Sequence, residues 1–486
     1  MTMPVVNPFT ERAFETVETD DDMSVVRKYV RACRAQRDWA KTALEERLRC
    51  LRTFSTLLRG EANEVARTLT LEMGKPITQA RAEVLAASHR VRVIADAVAE
   101  AVAPRTVHRS GAVTERVEFE PVGVVANVSA WNYPHLLAAN VFGAALATGN
   151  AVLLKPSEIT PLSGAHVARL LHQAGVPEDV FQVTQGGASV GRTLVQLRGL
   201  GAVAFTGSRA TGRAVARAVV DGLGSDDRHP LPPRMIMELG GKDAVYVRAD
   251  VADPAAAAAS VSHGVASIAN GAFYNAGQGC CAVERIYVHE AVARPFIEAF
   301  VRAAEGFARG MGDPTDPGTT LGPLAQAGAP RRIAAQVEAA VAGGAEILFR
   351  GDAAVPPTGY FAPPTVVGGA ALRGAQGAHA LLRDESFGPV VAIVVVEDDA
   401  EAVEAMGDTS YGLTAGVYTA DEEAALRILR GLDVGTGYWN ACNHVSPRLP
   451  WTGRLGSGGG AGGGATLGLE GIGSFVKPKS MYLRAA

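Results

Sequence analysis

Apolar and polar positions repeat with different periods along the chain, and the changes of period divide it into segments. From residue 20 to about 105, apolar residues recur at three- and four-residue spacing, which is typical of helices, with Gly60 and Gly74–Pro76 as breakers. Residues 105–121 instead alternate polar and β-branched side chains around Ser110–Gly111, and this pattern predicts a hairpin.

After residue 121, short apolar strands alternate with helix-like segments, as in βαβ units built on a parallel sheet. The candidate strands are VGVVANVS, AVLLKPS, VFQVTQG and AVAFTGS, and the candidate helices are HLLAANVFGAALATG, TPLSGAHVARLLHQAG and ATGRAVARAVV. A second α/β run, from about 238 to 440, has candidate strands DAVYV, ERIYVH, EILF and VVAIVVV. The pattern therefore predicts two α/β domains in tandem. A polar, Pro-rich surface insertion at 221–234 and a Gly-rich, flexible stretch at 456–468 interrupt it.

Composition narrows the class of protein. Hydrophobic residues make up 48% and charged residues 20%, as in soluble globular proteins. The net charge is −4 without a basic block, which argues against a nucleic-acid partner. The apolar runs are far shorter than the roughly 18 residues of a membrane span, and no signal peptide is visible. Five cysteines without C-x-x-C spacing argue against disulfides and a metal site, so we expect a reducing compartment, by default the cytoplasm.

Two stretches contain candidate cofactor contacts, and each also has a plain alternative. AVLLKPSE puts Lys155 and Glu158 after a strand, where they could hold ribose hydroxyls or form a surface ion pair. VAFTGSRATG puts glycines at a strand–helix junction, which could cradle a pyrophosphate or simply make a turn. The standard G-x-G-x-x-G fingerprint is absent from this junction.

Three further stretches contain candidate catalytic groups. MELGGKD places Glu238 at a strand end beside two glycines, as a general base or as a solvated turn residue. YNAGQGCCAVE sets Cys280 and Cys281 after a Gly-rich approach, as a nucleophile or as small apolar filling. SAWNYP offers Asn132, whose amide could donate to an oxyanion or only form a turn.

Together, WNYP, GNAVLLKPSEITP, FTGS…G, ELGGK, YNAGQGCC and ESFGPV resemble the aldehyde dehydrogenase superfamily, in the family's order and over nearly the whole chain. The resemblance implies an α/β fold with two parallel-sheet domains and a small β oligomerisation element. The expected ranges are 1–102 and 122–238 for a Rossmann-like NAD-binding domain, 239–455 for a catalytic domain, and 103–121 with 470–486 for the oligomerisation element. A homodimer or homotetramer is expected.

The resemblance also implies the hydrolytic, non-acylating chemistry of the family. Cys280, the cysteine of G-Q-x-C, would attack the aldehyde, while Asn132 and the Cys280 backbone N–H stabilise the oxyanion. Hydride transfer to the nicotinamide would leave a thioester, which water activated by Glu238 would hydrolyse to the carboxylic acid. A CoA-acylating semialdehyde dehydrogenase is the alternative, against which Glu238 argues, and a non-catalytic NAD-binding relative is a third.

The family's other contacts transfer position by position. The expected cofactor contacts are Trp131, Lys155, Glu158, Gly207, Ser208, Gly212, Glu385 and Phe387. A carboxylate at Glu158 would repel a 2′-phosphate, so NAD is favoured, with NADP as the alternative. The expected substrate pocket comprises Tyr133, Leu137, Asn140, Gly279 and Cys281, completed by the loop 440–447. No arginine cluster that would demand a carboxylate substrate is visible, so aliphatic, aromatic and amino aldehydes all stay open.

Two departures from the family pattern are visible. Leu455, in PWTGRLGSG, stands where the family often has a lysine. The segment GVASIANG (264–271) lengthens the spacing between ELGGK and Cys280, and we expect it to bulge from the preceding helix or to extend it.

Overall fold

The computed structural model describes residues 1–223, 231–252, 257–373, 380–458 and 464–485. Helices α1–α15 span, in chain order, Asp22–Lys41, Leu44–Gly60, Ala62–Met73, Ile77–Ala101, Pro134–Ala147, Pro161–Gln173, Ala188–Val195, Arg209–Leu223, Ala257–Phe273, Glu290–Arg309, Ala329–Ala342, Ala380–Arg383, Asp399–Gly407, Glu422–Arg430 and Gly468–Gly473. Strands β1–β19 span Thr2–Asn7, Arg12–Glu18, Arg105–Ser110, Val113–Pro121, Val124–Val128, Ala151–Lys155, Phe181–Val183, Ala202–Thr206, Arg234–Glu238, Asp243–Val247, Val283–His289, Glu346–Arg350, Thr365–Gly368, Val390–Val396, Tyr411–Gly412, Thr414–Tyr418, Thr436–Trp439, Arg454–Leu455 and Val476–Arg484. In these described ranges, no helix has both the length and the apolar character that crossing a membrane requires.

The boundaries of the N-terminal helices lie where the glycines and the proline predict them. α2 ends at Gly60, α3 ends at Met73, and α4 begins directly after Pro76. Gly74 closes α3 with a φ of 80°, and a Cβ there would lie 2.7 Å from the ring of Pro323, so glycine suits this turn. The antiparallel pair β1–β2, which precedes these helices, was not predicted.

Five parallel strands form the first sheet, in the order β7-β6-β5-β8-β9. The three central strands are buried almost throughout, which is why their sequences are continuous apolar runs without alternation. Helices α1 to α6 contribute to one core cluster with this sheet. Because parallel strands end at the same edge, the side chains that follow β5, β6, β8 and β9 meet there.

Seven strands form the second sheet, in the order β12-β13-β14-β11-β10-β16-β17. All neighbours are parallel except β12 and β13. The predicted strands DAVYV, ERIYVH, EILF and VVAIVVV are β10, β11, β12 and β14. Two further core clusters contain side chains from this sheet.

The predicted hairpin of 105–121 is present as β3 and β4, and β19 pairs with β4 from Val476 opposite Pro121 to Arg484 opposite Val113. The α/β fold with two parallel-sheet units and a small β element is therefore confirmed. The division of the chain into three domains stays a prediction, although each proposed domain contains one of these sheets.

One of the two expectations for GVASIANG is wrong. α9 runs without interruption from Ala257 to Phe273, and Val265, Ile268 and Ala269 pack into the core, so the segment extends the helix and does not bulge. The insertion at 221–234 and the Gly-rich stretch at 456–468 lie partly outside the described residues, which omit 224–230 and 459–463. The described flanks Gly458 and Thr466 form β-bridges with Glu238 and Trp451, respectively.

Candidate active site

The two adjacent cysteines lie in the loop that joins α9 to β11, directly after a short 3-10 helix. The φ values of Asn275, Ala276 and Gly277 are 53°, 54° and 70°. Residues other than glycine rarely adopt this left-handed backbone conformation. A Cβ at Gly277 would collide with the carbonyl oxygen of Gly388. The turn leaves Cys280 half-buried, whereas the next residue, Cys281, is buried.

Buried amides hold this strained turn. The Asn275 N–H donates to Gln79 Oε1 at 2.9 Å, and Gln278 Nε2 donates to the Asn275 carbonyl at 3.1 Å. The Oε1 atom of Gln278 accepts from the Ala325 N–H at 2.9 Å. Through these hydrogen bonds Gln278, the glutamine of the G-Q-x-C motif, fixes the backbone two residues before Cys280.

Asn132 lies in the turn between β5 and α5, is buried, and contacts the cysteine loop. Its Nδ2 donates to the Gln278 carbonyl at 3.1 Å. Its own carbonyl accepts from Lys75 Nζ at 2.7 Å and from Asn275 Nδ2 at 3.2 Å. Since a side-chain amide has two N–H donors, Asn132 can donate one hydrogen bond to the loop and a second one to another acceptor at the same time.

Lys75 and Glu83, neither of which was predicted as a site residue, form a buried ion pair next to Asn132. The Lys75 ammonium also lies 3.8 Å from the ring centroid of Tyr133. The other Glu83 oxygen accepts from the His135 N–H at 3.0 Å, at the start of α5. The only signal in the sequence was a lysine placed beside Gly74 and Pro76, between two amphipathic helices.

Glu238 ends β9 as a buried carboxylate whose Oε1 atom has no hydrogen-bond partner in the described part of the chain. Burial and the charge of Cys280 raise the pKa of Glu238 well above its ordinary value, and the Trp451 side chain opposes this shift. A buried carboxylate that interacts with a cysteine has the properties of a general base.

The environment of Cys280 favours the neutral thiol. The Cys281 side chain, burial, and the charges of Cys281, Asp243 and Glu385 raise the pKa of Cys280 well above its ordinary value. Cys281 itself donates to Asn443 Oδ1 at 3.1 Å, which ties it to the loop 440–447. A thiolate at Cys280 therefore has to be generated by transfer of its proton to a base.

The predicted cofactor contacts of the first sheet lie along the edge where its strands end. Lys155 is buried and its Nζ donates to the Pro156 carbonyl at 2.9 Å, while the exposed Glu158 carboxylate lies 3.8 Å from that Nζ. This edge therefore presents a buried cation next to an accessible carboxylate, and the two groups suit the hydroxyls of a ribose.

The junction of β8 and α8 also lies on this edge. Ser208 Oγ accepts from the Thr211 N–H at 3.3 Å, in the first turn of α8, and the Gly207 N–H donates to the Glu238 carbonyl at 3.0 Å. A Cβ at Gly212 would collide with Leu239, so this glycine lets α8 approach the end of β9. An N-terminus of a long helix on this edge is suited to phosphate.

The predicted contacts of the ESFGPV motif reach the same edge from the second sheet. Glu385 Oε1 accepts from the Gly241 N–H at 3.0 Å, and burial, helped by the charge of Glu284, raises the pKa of Glu385 to about 8. Phe387 packs edge-on against Trp131, with ring centroids 5.4 Å apart.

A buried carboxylate fixes this loop, and the sequence analysis missed it as well. Glu284 accepts from the Ser386 N–H at 2.8 Å and from the Phe387 N–H at 2.9 Å. It also pairs with Lys242, the lysine of ELGGK, at 2.6 Å. Glu284, which belongs to neither motif, thus links ELGGK to ESFGPV.

The predicted pocket residues come from the first turns of α5 and from the cysteine loop. Tyr133 directly precedes α5, Leu137 is half-buried, and Asn140 is buried, while Gly279 and Cys281 are buried in the loop itself. Asn140 Oδ1 accepts from Arg90 Nη1 at 2.7 Å. No arginine cluster was expected here, and this single arginine was not predicted, because Arg90 is fifty residues from Asn140 in the chain and lies in an ordinary helical pattern on α4.

Comparisons with known proteins agree with this geometry. A model of the aldehyde dehydrogenase family matches residues 1–480. A betaine aldehyde dehydrogenase of Cereibacter sphaeroides is 32% identical over 482 residues, which cover 99% of this chain and 93% of that protein. A 3,6-anhydro-alpha-L-galactose dehydrogenase of Streptomyces coelicolor is 34% identical over 498 residues, covering 100% and 94%. The crystal structure of PnpE in complex with nicotinamide adenine dinucleotide matches with a TM-score of 0.90 at 29% identity, covering 100% and 94%.

Proposed function

The chain belongs to the aldehyde dehydrogenase family, and from that premise we propose that Cys280, Asn132 and Glu238 carry its NAD(P)-dependent oxidation of an aldehyde to the carboxylic acid. The observation that supports the proposal best is the Glu238 carboxylate, which is buried, lacks a partner at Oε1 in the described chain, and interacts with Cys280. Burying a carboxylate oxygen without a partner is costly for the fold, which favours a catalytic role for this group.

Cys280 begins the proposed reaction. Its thiol gives its proton to Glu238, and Sγ attacks the aldehyde carbon to form a thiohemiacetal. The Asn132 amide and the Cys280 backbone N–H donate to the oxygen on which negative charge develops. The chemistry that NAD(P) supplies when bound is the acceptance of a hydride. Cys280 then carries the acyl group as a thioester.

Glu238 completes the proposed cycle. Glu238 first releases to solvent the proton that it took from Cys280. Its carboxylate then takes a proton from water, and the hydroxide so formed adds to the thioester carbonyl. Collapse of this adduct breaks the carbon–sulfur bond, and the sulfur leaves as the Cys280 thiol after protonation. The carboxylic acid is the product, and no CoA is needed.

We assign the cofactor to the edge of the first sheet. Lys155 and Glu158 would hold the adenosine ribose, and the start of α8 with Gly207, Ser208 and Gly212 would hold the pyrophosphate. Glu385 would hold the nicotinamide ribose, with Trp131 and Phe387 as an aromatic wall. A carboxylate at Glu158 disfavours a 2′-phosphate, which supports NAD as the preferred cofactor and NADP as the second one.

We also propose that the three-stranded sheet of β3, β4 and β19 joins subunits in a homodimer or homotetramer. Val107 and Tyr482 are 60% and 67% exposed on this sheet, and large apolar side chains in such positions favour a protein partner.

The free thiol state of all five cysteines supports a reducing compartment.

The experiment is to measure NADH formation across a panel of aldehydes without CoA. Wild type should turn over, Cys280→Ala should form no NADH, and Glu238→Gln should give at most one equivalent per site. Cys281→Ala is the matched control for the nucleophile, because it removes the neighbouring thiol and should keep turning over. NADH that appears only when CoA is added would contradict hydrolysis, and turnover by Cys280→Ala would contradict the assigned nucleophile.

A further inference from the structure

Arg90 is a buried cation within the candidate substrate pocket. It lies on α4 and is 7% exposed. Its guanidinium donates from Nη1 to Asn140 Oδ1 at 2.7 Å and from Nη2 to the Val445 carbonyl at 3.3 Å. Both acceptors are neutral, and none of the described carboxylates forms a salt bridge with this arginine. Glu83, a carboxylate whose charge acts on Arg90, is engaged by Lys75 and the His135 N–H.

The geometry points to Arg90 as a specificity residue that binds a carboxylate at the end of the substrate distal to the aldehyde. This inference rests on the proposed function and names its substrate class as ω-carboxy aldehydes. The inference follows from the rule that a buried charge is either paired or costly. The described part of the chain supplies only neutral acceptors to Arg90, so an anionic ligand is the group that would compensate its charge.

The donor geometry suits a carboxylate. A guanidinium has five N–H donors in a planar fork, and the two contacts to the protein use one hydrogen on each terminal nitrogen. The contacts hold the fork in a fixed orientation between α5 and the loop 440–447. A pre-oriented fork binds a carboxylate in bidentate fashion, which a lysine in the same place could not do.

The position relative to the nucleophile is also suitable. Cys281 Sγ donates to Asn443 Oδ1, and Asn443 is two residues before Val445, whose carbonyl accepts from Arg90. Arg90 thus belongs to the network that surrounds the cysteine pair. Burial lowers the pKa of Arg90 to about 10, while the charges of Glu83, Cys281 and Cys280 oppose this shift, so the group stays cationic at neutral pH.

Other substrate classes fit this pocket less well. A quaternary ammonium aldehyde, which the name of the Cereibacter sphaeroides relative implies for that protein, would meet a like charge. A sugar aldehyde, which the name of the Streptomyces coelicolor relative implies for that protein, could accept hydrogen bonds from Arg90 through its hydroxyl oxygens but would leave the charge of Arg90 uncompensated. An ω-carboxylate both satisfies the donors and neutralises the charge.

The test compares kcat/KM for three aldehydes of similar length: glutaric semialdehyde, pentanal and trimethylaminobutyraldehyde. Wild type should favour the carboxylate substrate over the neutral one, and Arg90→Met should lower this ratio by about 30-fold, the range of a charged hydrogen bond. Arg90→Lys, which keeps the charge, should retain part of the preference. Arg92→Met is the matched control, because Arg92 lies on the same helix and is exposed, and it should leave the ratio unchanged.

A second measurement needs no turnover. Glutarate, which has no aldehyde, should bind to the wild-type protein with bound NAD in a calorimetric titration, and Arg90→Met should weaken this binding by about the same factor. An unchanged substrate ratio in Arg90→Met, a wild-type preference for the ammonium or neutral aldehyde, or equal glutarate binding in both proteins would overturn the inference. Absence of NADH from every aldehyde, with glutarate binding still dependent on Arg90, would instead contradict the proposed function.

Discussion

Glu238 and Cys280 share a property that shapes the chemistry of the site. Glu238 is buried and Cys280 is half-buried. The Cys281 side chain and desolvation raise the pKa of Cys280, while desolvation and the negative charge of Cys280 raise that of Glu238, so both groups hold their protons more tightly than they would in water. The site is therefore easy to protonate and has to lose a proton before it can act. A base of this kind is useful because its conjugate acid is weak, which makes the carboxylate basic enough to take a proton from water during hydrolysis.

The raised pKa of Glu238 predicts a pH dependence of hydrolysis. The rate of thioester hydrolysis should fall as pH decreases, and the limb should lie well above the ordinary carboxyl pKa of about 4.3. Glu238→Gln should lose this limb and slow hydrolysis by roughly a hundredfold or more. Single-turnover kinetics of acyl-enzyme decay across pH provide the measurement. A limb that stays near the ordinary carboxyl value, or one that persists in Glu238→Gln, would be incompatible with this assignment.

The same shift predicts a cost in stability. An acid whose pKa is raised in the folded state contributes stability that is fully present below its unfolded pKa and is lost as pH rises through the folded pKa. Glutamine cannot ionise, so the Glu238→Gln variant should not lose this stability. Its free energy of unfolding should therefore increase relative to that of wild type as pH rises. Urea unfolding at about pH 6 and about pH 9 gives the difference. If the difference in the free energy of unfolding between variant and wild type is the same at both pH values, the pKa of Glu238 is not raised by folding.

How much of the site can be predicted from the sequence depends on how far apart its parts lie. Cys280, Glu238 and Asn132 each follow a strand or helix within a short motif, so local residues identify them, and their roles stay predictions. Arg90 and Glu284 are different, since their partners are more than 40 residues away and nothing next to them in the chain is unusual. Long-range contacts of this kind become visible only when the helices and sheets are assembled.

At the scale of elements, the loop between α9 and β11 depends on a backbone that few residues accept. Gly277→Ala should lower the free energy of unfolding by about 2 kcal/mol or more, because alanine is strained at a φ of 70° and its Cβ collides with Gly388. It should also reduce NADH formation, since the loop carries Cys280. Gly279→Ala is the matched control, because a Cβ there meets Ala282 at an ordinary 3.5 Å. Equal destabilisation by the two variants in urea unfolding would contradict the argument.

The Glu284–Lys242 pair links β10, β11 and the ESFGPV loop. Glu284→Gln should lower the free energy of unfolding by about 3–5 kcal/mol, because it leaves a buried lysine without its counter-ion. It should also raise the KM for the cofactor, because the Ser386 and Phe387 N–H groups lose a charged acceptor next to Glu385. Glu298→Gln, which breaks an exposed pair with Arg294 on α10, should change both quantities little. A KM that stays at the wild-type value would separate Glu284 from cofactor binding.

Elements with continuous apolar runs were the easiest to predict. The central strands β5, β6, β8 and β14 are buried, so their sequences show apolar runs. The pair β1–β2 was missed because most of its side chains are exposed and no apolar alternation marks it. Of the two alternatives expected for 264–271, a bulge or an extension of the helix, the bulge was wrong, because the segment has apolar residues at helical spacing that extend the buried face of α9.

At the scale of the whole molecule, the site lies between the two parallel sheets. Lys155 and Glu238 come from strand ends of the first sheet, whereas Cys280 and Glu385 come from loops of the second. The Glu385–Gly241 hydrogen bond and the Trp131–Phe387 contact connect the two sides. Neither sheet alone contains both the nucleophile and the contacts proposed for the cofactor, so catalysis depends on their correct assembly.

The three-stranded sheet gives the last prediction, which concerns assembly of subunits. β3 is an edge strand with every side chain exposed, and such edges are protected in natural proteins by pairing or by charge. If this sheet joins subunits, the double variant Val107→Lys, Tyr482→Lys should reduce the molecular mass in light scattering to that of a smaller species. Val220→Lys is the matched control, because Val220 is 60% exposed on α8, away from the sheet, and should leave the mass unchanged. A wild-type monomer, or an unchanged oligomer in the double variant, would exclude this sheet as the interface, because two buried lysines without partners cannot be accommodated there.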